Sequence, residues 1–249
     1  MILTIAAAEL RRLFLSPLAW TILAVVQLIL ALVFFGYLKE FLQIQSQLLS
    51  SGAGQGITAM VASPLLGFAA VLLLLVSPLI SMRLFSEERR NKTLSLLVSA
   101  PVTMTEIVLG KYLSLVLFLW MILGMTLLMP LSLLAGGHLD FGLFGAALLG
   151  LALLLAGFAA VGVFMSTLTQ YQTVAAVSTF GMLLLFLILE LAGEAVGGAS
   201  VLTYLSLFTH YEPFLRGVFD TRDAVYHVLF IATFLTLSVR RLDMDRLGG

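Results

Sequence analysis

Long apolar runs dominate the pattern of hydrophobic and polar residues along this chain. Six stretches are almost free of charged side chains, at about residues 17–37, 63–82, 112–134, 141–165, 174–192 and 224–239. A helix of about 20 apolar residues spans the ~30 Å hydrocarbon core of a bilayer. The pattern therefore predicts six transmembrane helices, of which the last is the shortest.

The composition indicates a lipid environment. Hydrophobic residues make up 61% of the 249 residues and charged residues 10%, whereas soluble domains carry roughly 45–50% and 25%. The mean hydropathy is +1.13. Because so much apolar surface cannot fit inside one water-soluble core, we predict an all-α polytopic membrane protein with one transmembrane domain over residues 1–249. Cysteine is absent, which excludes disulfides, thiolate metal sites and cysteine nucleophiles.

The distribution of lysine and arginine predicts the orientation. Ten of these residues fall on the side that holds both termini and the loop after the second run, and three fall on the other. The ten are Arg11, Arg12, Arg83, Arg89, Arg90, Lys92, Lys111, Arg240, Arg241 and Arg246, and the three are Lys39, Arg216 and Arg222. Since cytoplasmic loops carry the excess of positive charge, we expect an inner-membrane protein with both termini cytoplasmic.

Residues 1–16 have the pattern of a helix that lies on the membrane surface. Six apolar residues fall near one helical face, and Glu9, Arg11 and Arg12 are placed off it. The apolar set is Ile2, Leu3, Ala6, Leu10, Leu13 and Phe14. A basic flank that only sets topology is the alternative. The first apolar run is longer than a signal-peptide core and has no small-residue cleavage site, so we expect it to be retained.

Two segments are expected outside the membrane on the far side. Residues 39–62 are polar and rich in Ser, Gly and Gln, and are interpreted as an external helix or loop. Residues 193–223 form a second such segment, where Asp220 with Thr221 could cap the last span and Arg222 could pair with Asp220 or Asp223. The candidate residues for an outer gate or for contact with a periplasmic accessory subunit are Glu212, Arg216, Asp220, Arg222 and Asp223.

Small residues recur through the fourth span. Gly142, Ala146 and Gly150 are spaced four apart, and so are Ala152, Ala156 and Ala160. Small side chains let helix backbones approach closely in lipid. We interpret this stripe as packing, either within the subunit or across a dimer.

The loop between the second and third runs, residues 83–111, is the most informative segment. Its charged residues are Arg83, Glu87, Glu88, Arg89, Arg90 and Lys92. Leu94, Leu97 and Val98 then have the spacing of one apolar helical face, with Thr93 able to begin the helix and Pro101 to end it. Such a helix could dock in a groove of a partner protein; a solvated loop that only obeys the positive-inside rule explains the composition equally well.

This loop resembles the corresponding segment of ABC-2 transporter permeases. Glu87-Glu88, Thr93-Leu94, Leu96-Leu97 and Ser99-Ala100-Pro101 match the family pattern, while Lys92 stands where the family usually has Gly and Ser95 where it usually has Glu. The resemblance implies a type V exporter-like architecture with 83–111 as a cytoplasmic coupling segment that contacts an ATPase. The implied coupling residues are Glu87, Glu88, Arg89, Arg90, Thr93, Leu94, Leu97 and Pro101.

Two later segments extend the resemblance over nearly the whole chain. Residues 164–176 look like the family's turn between spans four and five, and Tyr204–Tyr226 is similar to the gliding-motility-associated branch. The implied partners are an ABC ATPase dimer, a second permease copy or homologue, and membrane lipids. The branch also allows an auxiliary subunit with a large extracytoplasmic domain.

Some kinds of chemistry have no matching motif. The sequence lacks the G-x-x-x-x-G-K-[ST] loop that cradles ATP phosphates. Its histidines (His138, His210 and His227) lack zinc-ligand spacing, and no basic aromatic surface indicates nucleic-acid binding. We therefore expect no catalytic residue, metal or cofactor in this chain, with ATP and magnesium on the partner ATPase.

Two other function classes have less support in the sequence. An ion-coupled secondary transporter would need buried ionisable groups near the membrane midplane, and none is evident in the sequence. Glu87-Glu88 also resembles the Glu-Glu-x-x-x-Arg signature of membrane-embedded prenyl-protein proteases, but Lys92 occupies the arginine position. The spans show no polar stripe, which favours a lipidic or amphiphilic cargo, a peptide, or mechanical work on a partner.

Overall fold

The computed structural model describes residues 1–51, 56–92, 102–135, 139–195 and 201–247, and within these ranges the regular secondary structure is entirely helical. The helices are α1 (Ile2–Leu15), α2 (Pro17–Ser51), α3 (Ser63–Ser81), α4 (Ser86–Arg90), α5 (Met104–Ser132), α6 (Phe141–Leu168), α7 (Gln172–Ala195), α8 (Val201–Leu205), α9 (Glu212–Leu215) and α10 (Thr221–Leu247). A π-helical turn, Thr58–Ala62, leads into α3, and a 3₁₀ turn, Leu133–Ala135, follows α5. In the described part of the chain, six helices are long and apolar enough to cross a membrane. The predicted all-α, six-span fold class is confirmed.

Helix α2 is much longer than its apolar run. It has 35 residues, or about 52 Å at 1.5 Å per residue, against a hydrocarbon core of ~30 Å. The sequence from Tyr37 to Ser51 contains neither Gly nor Pro, so nothing stops the helix where the apolar residues give way to polar ones. The first part of the polar segment 39–62 is therefore a continuation of helix α2 beyond its apolar run.

Helix α6 lies at the centre of the bundle. It packs against α3, α5, α7, α9 and α10, and most of its residues are buried. Two glycines allow the closest approaches: a Cβ built on Gly150 would lie 2.5 Å from Cβ of Phe214, and one on Gly162 would collide with Ser81. At Gly150, the predicted small-residue stripe serves packing within the subunit.

Helix α1 is a separate element that packs along the start of α5. Ser16 has an extended backbone and separates it from α2, while Trp20 Nε1 donates a hydrogen bond to the Phe14 carbonyl at 2.8 Å. Ala6 is buried and Leu3 is exposed. Glu9, which the sequence pattern places off the apolar face, contacts Lys111 of α5 with its carboxylate; that α1 lies on the membrane surface stays a prediction.

Residues 206–217, which we call the re-entrant segment, run back into the bundle. A Cβ built on Gly157 would lie 3.7 Å from Leu207 Cδ2, and Gly157 is roughly 24 Å along α6 from its first residue. Tyr211 and Phe214 are buried. Gly217 then turns the chain at a φ of +80° beside Leu143, a backbone conformation that suits glycine. Irregular backbone at this depth is compatible with a membrane where it is enclosed by protein.

Helix α1, the last turns of α10 and residues 83–92 meet at one end of the bundle. Glu9 of α1 and Glu88 of α4 contact Lys111 of α5, and Arg89 of α4 pairs with Asp245 of α10. We call this the charged end of the bundle, defined by those five residues. The geometry agrees with the predicted alternation of the spans; that this end faces the cytoplasm stays a prediction.

Candidate functional site

A buried lysine organises the charged end. Lys111 is 1% exposed, and its Nζ donates hydrogen bonds to Glu9 Oε1 at 2.6 Å, Glu88 Oε1 at 2.7 Å and the Leu84 carbonyl at 2.8 Å. The ring centroid of Phe85 lies 5.1 Å from the same nitrogen. One ammonium group thus joins α1, α4 and α5. Removal of one partner from a buried ion pair costs about 3–5 kcal/mol because the other charge is left without compensation.

The local sequence places Lys111 on the inner face of α5. The helix begins with a capping box, in which Thr103 Oγ1 accepts from the Glu106 N–H at 3.2 Å and Glu106 Oε2 accepts from the Thr103 N–H at 3.0 Å. Two turns later, Gly110 lets α1 approach, since a Cβ there would lie 2.7 Å from Ile5 Cγ2. Lys111 follows directly, at the level of Glu9.

Ser166 fixes the first turn of α4 to the end of α6. Its Oγ accepts hydrogen bonds from the backbone N–H groups of Phe85 at 3.0 Å and Ser86 at 3.2 Å, and donates to the Met82 carbonyl at 3.3 Å. The first N–H groups of a helix lack partners within the helix, and Phe85 gives no side-chain cap. Ser166 therefore supplies the cap from a distant helix.

Successive side chains of α4 contact different helices. Arg12 of α1 pairs with Glu87 at 2.9 Å, Glu88 reaches Lys111, and Arg89 pairs with Asp245 of α10. Arg241 also approaches Asp245, at 3.5 Å. With Ser166, these contacts join the five residues of α4 to α1, α5, α6 and α10. A displacement of α4 would therefore be transmitted to four other helices.

The predicted coupling residues fall into three groups. Glu87, Glu88 and Arg89 are engaged in ion pairs within the chain, whereas Arg90 is exposed at the end of α4. The remaining coupling residues, Thr93, Leu94, Leu97 and Pro101, lie outside the described residues. Glu88 thus has a structural role as the ion-pair partner of Lys111. The protease alternative would need this acid to act in catalysis instead.

Lys92 has a left-handed backbone with φ of 57°. It follows Asn91, the C-cap of α4, at the position where helices commonly end on a left-handed glycine. The resemblance places glycine at this position in the family. The structure supplies the physical reason, because glycine adopts this conformation without the clash that a Cβ introduces.

Sequence reasoning missed four residues of this site: Glu9, Lys111 as a partner of carboxylates, Ser166 and Asp245. The sequence does contain a pattern that marks Glu9 and Lys111. Glu9 lies one turn from Ile5 and from Leu13, and Lys111 one turn from Ile107 and from Leu115, so each charge interrupts an apolar face at helical spacing. No comparable local signal marks Ser166 or Asp245.

The opposite end contains a buried histidine–aspartate pair. His210 Nδ1 lies 2.6 Å from Asp223 Oδ1, and His210 Nε2 lies 3.0 Å from the Tyr204 carbonyl. Because a carbonyl oxygen only accepts, Nε2 donates to Tyr204, and Nδ1 faces the Asp223 carboxylate. Tyr226 stacks on the imidazole at 3.9 Å between centroids and donates to the Leu205 carbonyl at 2.8 Å. These contacts join the re-entrant segment to α10.

The residues predicted to form an outer gate or accessory contact differ in the groups that they contact. Asp220 Oδ1 accepts from the Arg222 N–H at 2.9 Å, which confirms it as the cap of α10. The expected pairing of the Arg222 side chain with Asp220 or Asp223 is wrong: its guanidinium lies 5.2 Å from the Tyr204 ring centroid, and Asp223 is paired with His210. Glu212 and Arg216 form an exposed ion pair one helical turn apart.

Three ionisable side chains are buried at this end of the bundle. Asp223 is 7% exposed, His210 5% and His227 0%, and His227 Nδ1 donates to the Asp223 carbonyl at 2.9 Å. Asp223 and His210 are 13 residues apart and come together only through the re-entrant segment, so no local pattern predicts their contact. Within the described ranges, no group of three His, Cys, Asp or Glu residues could hold a metal ion.

Comparison with known proteins identifies one family. The model of the family described as ABC-2 family transporter protein matches residues 3–242, a range that contains Glu9, Glu88, Arg89 and Lys111 of the charged end and stops short of Asp245. No curated protein matches the chain.

Proposed function

Because this chain belongs to the ABC-2 transporter family, we propose that it is the permease subunit of an ABC transporter powered by a separate ATPase chain. The six membrane-crossing helices supply the transmembrane part. The sequence has no P-loop of its own, so ATP and Mg²⁺ are bound by the partner, an ABC ATPase dimer. A second copy of the permease or a homologue completes the transport path.

The observation that carries this proposal is the position of α4. It immediately precedes the segment that holds Thr93, Leu94, Leu97 and Pro101, and its own side chains contact α1, α5 and α10. Closure of the ATPase dimer pushes on that segment, and α4 passes the displacement to the bundle as a rigid-body shift. In this mechanism Arg90 and the segment contact the ATPase, while Glu87, Glu88 and Arg89 hold α4 to the other helices.

The work done is export or an envelope-related task. The absence of a polar stripe in the spans favours an amphiphilic cargo or mechanical work over a small polar solute. At the other end, the exposed Glu212–Arg216 pair with Asp220 and Arg222 offers a charged surface for an auxiliary subunit with an extracytoplasmic domain. The protein sits in the inner membrane with both termini in the cytoplasm.

Affinity purification tests the proposal. The tagged chain is purified from its own cells in mild detergent, and the co-purifying proteins are identified by mass spectrometry. We expect an ABC ATPase with wild type, and its loss with Leu97→Asp. Val218→Asp is the matched control, because it places the same charge on an exposed residue at the opposite end. An ATPase that is absent from wild type, or that is retained equally by both variants, would contradict the proposal.

A proton-coupled secondary transporter is a second candidate, favoured only by the buried His210–Asp223 pair. Such a transporter would move its cargo without ATP and would stop when an ionophore collapses the proton gradient. Transport in ATP-depleted vesicles with an imposed gradient separates the two functions. Cargo movement that persists there and is lost in His210→Gln would favour the second candidate, and movement that requires ATP would exclude it.

A further inference from the structure

A cavity of about 260 Å³ lies at the charged end, between the α1–α2 elbow and the end of α3. Its polar side includes Arg12, Arg83 and Glu87, and its apolar side includes Leu15, Leu18 and Leu79. Leu15 and Leu79 are themselves exposed, so the apolar side opens at the surface of the bundle. The cavity is thus amphiphilic, with charge at one side and a leucine-lined mouth at the other.

Arg83 lines the cavity and has no counter-charge among the residues that the structure describes. Its Nε is buried with no hydrogen-bond partner, and it forms no ion pair with any described residue. The two carboxylates that line the cavity are already engaged, Glu87 with Arg12 at 2.9 Å and Glu9 with Lys111 at 2.6 Å. A buried donor without a partner is costly in a folded protein. An anion from outside the chain would accept a hydrogen bond from Arg83 and neutralise its charge.

The position of the cavity determines what kind of anion fits. Arg83 follows the end of α3 at Ser81 by two residues, where the apolar span gives way to charged sequence and where lipid phosphates lie. Guanidinium groups bind phosphate with two parallel hydrogen bonds. The leucine-lined mouth would accommodate the first carbons of acyl chains, whereas a free phosphate ion would gain nothing from it.

We propose that this cavity binds an acidic phospholipid, with its phosphate on Arg83 and its acyl chains leaving past Leu15 and Leu79. The lipid would join the α1–α2 elbow to the end of α3, next to Glu87 of α4. This proposal does not depend on the proposed transport function, because it concerns binding by this chain alone.

Native mass spectrometry of the purified full chain tests the proposal. Dioleoyl phosphatidylglycerol and dioleoyl phosphatidylcholine are titrated separately onto delipidated protein. We expect wild type to bind phosphatidylglycerol preferentially and Arg83→Gln to bind it at least about tenfold more weakly, the loss expected for a charge-assisted hydrogen bond. Arg90→Gln is the matched control, because it removes an equal charge from the same loop at an exposed position and should leave binding unchanged.

A second variant and a competitor complete the test. Leu18→Trp should fill the cavity and block lipid binding while it keeps every charge, so it gives an independent result if Arg83→Gln fails to fold. Glycerol 3-phosphate, the soluble headgroup analogue, should not displace the lipid at equal concentration. Equal binding by Arg83→Gln and Arg90→Gln, undiminished binding by Leu18→Trp, or displacement by glycerol 3-phosphate would each overturn the proposal.

Discussion

Lys111 Nζ lies 2.7 Å from Glu88 Oε1, and this pair connects the start of the third span to the short helix that follows the second. The lysine is 1% exposed and also holds Glu9 at 2.6 Å. Its two carboxylate partners come from two different helices, α1 and α4. The lysine is therefore the point at which three segments of the charged end depend on one another.

Replacement of Lys111 by Met should destabilise the protein by about 3–5 kcal/mol, because Glu9 and Glu88 would remain buried without a counter-charge. Thermal unfolding in detergent, followed by far-UV circular dichroism, measures the effect. Lys39→Met is the control, since Lys39 is exposed and belongs to α2. A triple variant with Glu9→Gln and Glu88→Gln should recover much of the loss; equal melting of Lys111→Met and Lys39→Met would show that the network is not structural.

Ser166→Ala should destabilise the junction of α4 and α6. The Phe85 and Ser86 N–H groups would lose their acceptor in a buried place, at a cost of about 1–3 kcal/mol. The comparison variant is Ser132→Ala, whose hydroxyl is exposed and bonds only within its own helix turn. Hydrogen exchange of the Phe85 and Ser86 amides should accelerate in Ser166→Ala and stay at the wild-type rate in Ser132→Ala. Unchanged exchange in both would refute the cap.

Lys92→Gly should stabilise the protein by roughly 0.5–1 kcal/mol, because glycine relieves the left-handed strain at this position. Lys92→Ala separates this effect from the loss of the charged side chain, since alanine keeps the Cβ that causes the strain. We expect a higher melting temperature for the glycine variant than for the alanine variant. If the two melt together, the conformation at residue 92 is not strained.

Gly150→Ala should cost about 1–3 kcal/mol by overpacking, because the new methyl group would lie 2.5 Å from Cβ of Phe214. Gly145→Ala changes the same residue type in the same helix, where nothing lies within 4 Å of the new atom. That control should be neutral or stabilising, as alanine is favoured over glycine in a helix. A loss of similar size in both variants would mean that the re-entrant segment does not pack at Gly150.

The apolar runs were sufficient to predict the six crossings, because a ~20-residue run has few alternatives to a spanning helix. The cap at Asp220 could also be predicted, because it depends only on neighbouring residues. Contacts between distant segments could not be predicted from the sequence. Glu9 and Lys111 are 102 residues apart, and only the packing of α1 on α5 brings them together.

The re-entrant segment was missed for a different reason. Residues 206–217 contain His210, Glu212, Pro213 and Arg216, so hydropathy places them in water. They enter the bundle because Leu207 and Phe214 fill space beside glycines of α6, and because Asp223 supplies a partner for His210. The glycines of α6 and Asp223 lie outside the segment, so its own sequence does not predict that it enters the bundle.

Photo-crosslinking in living cells can show which protein contacts the segment that follows α4. A photoreactive amino acid is placed at Leu97, and in a separate strain at Val218, and the products formed in living cells are identified by mass spectrometry. We expect Leu97 to crosslink to an ABC ATPase and Val218 not to do so. The absence of any ATPase among the Leu97 products, or an ATPase captured only from Val218, would contradict it.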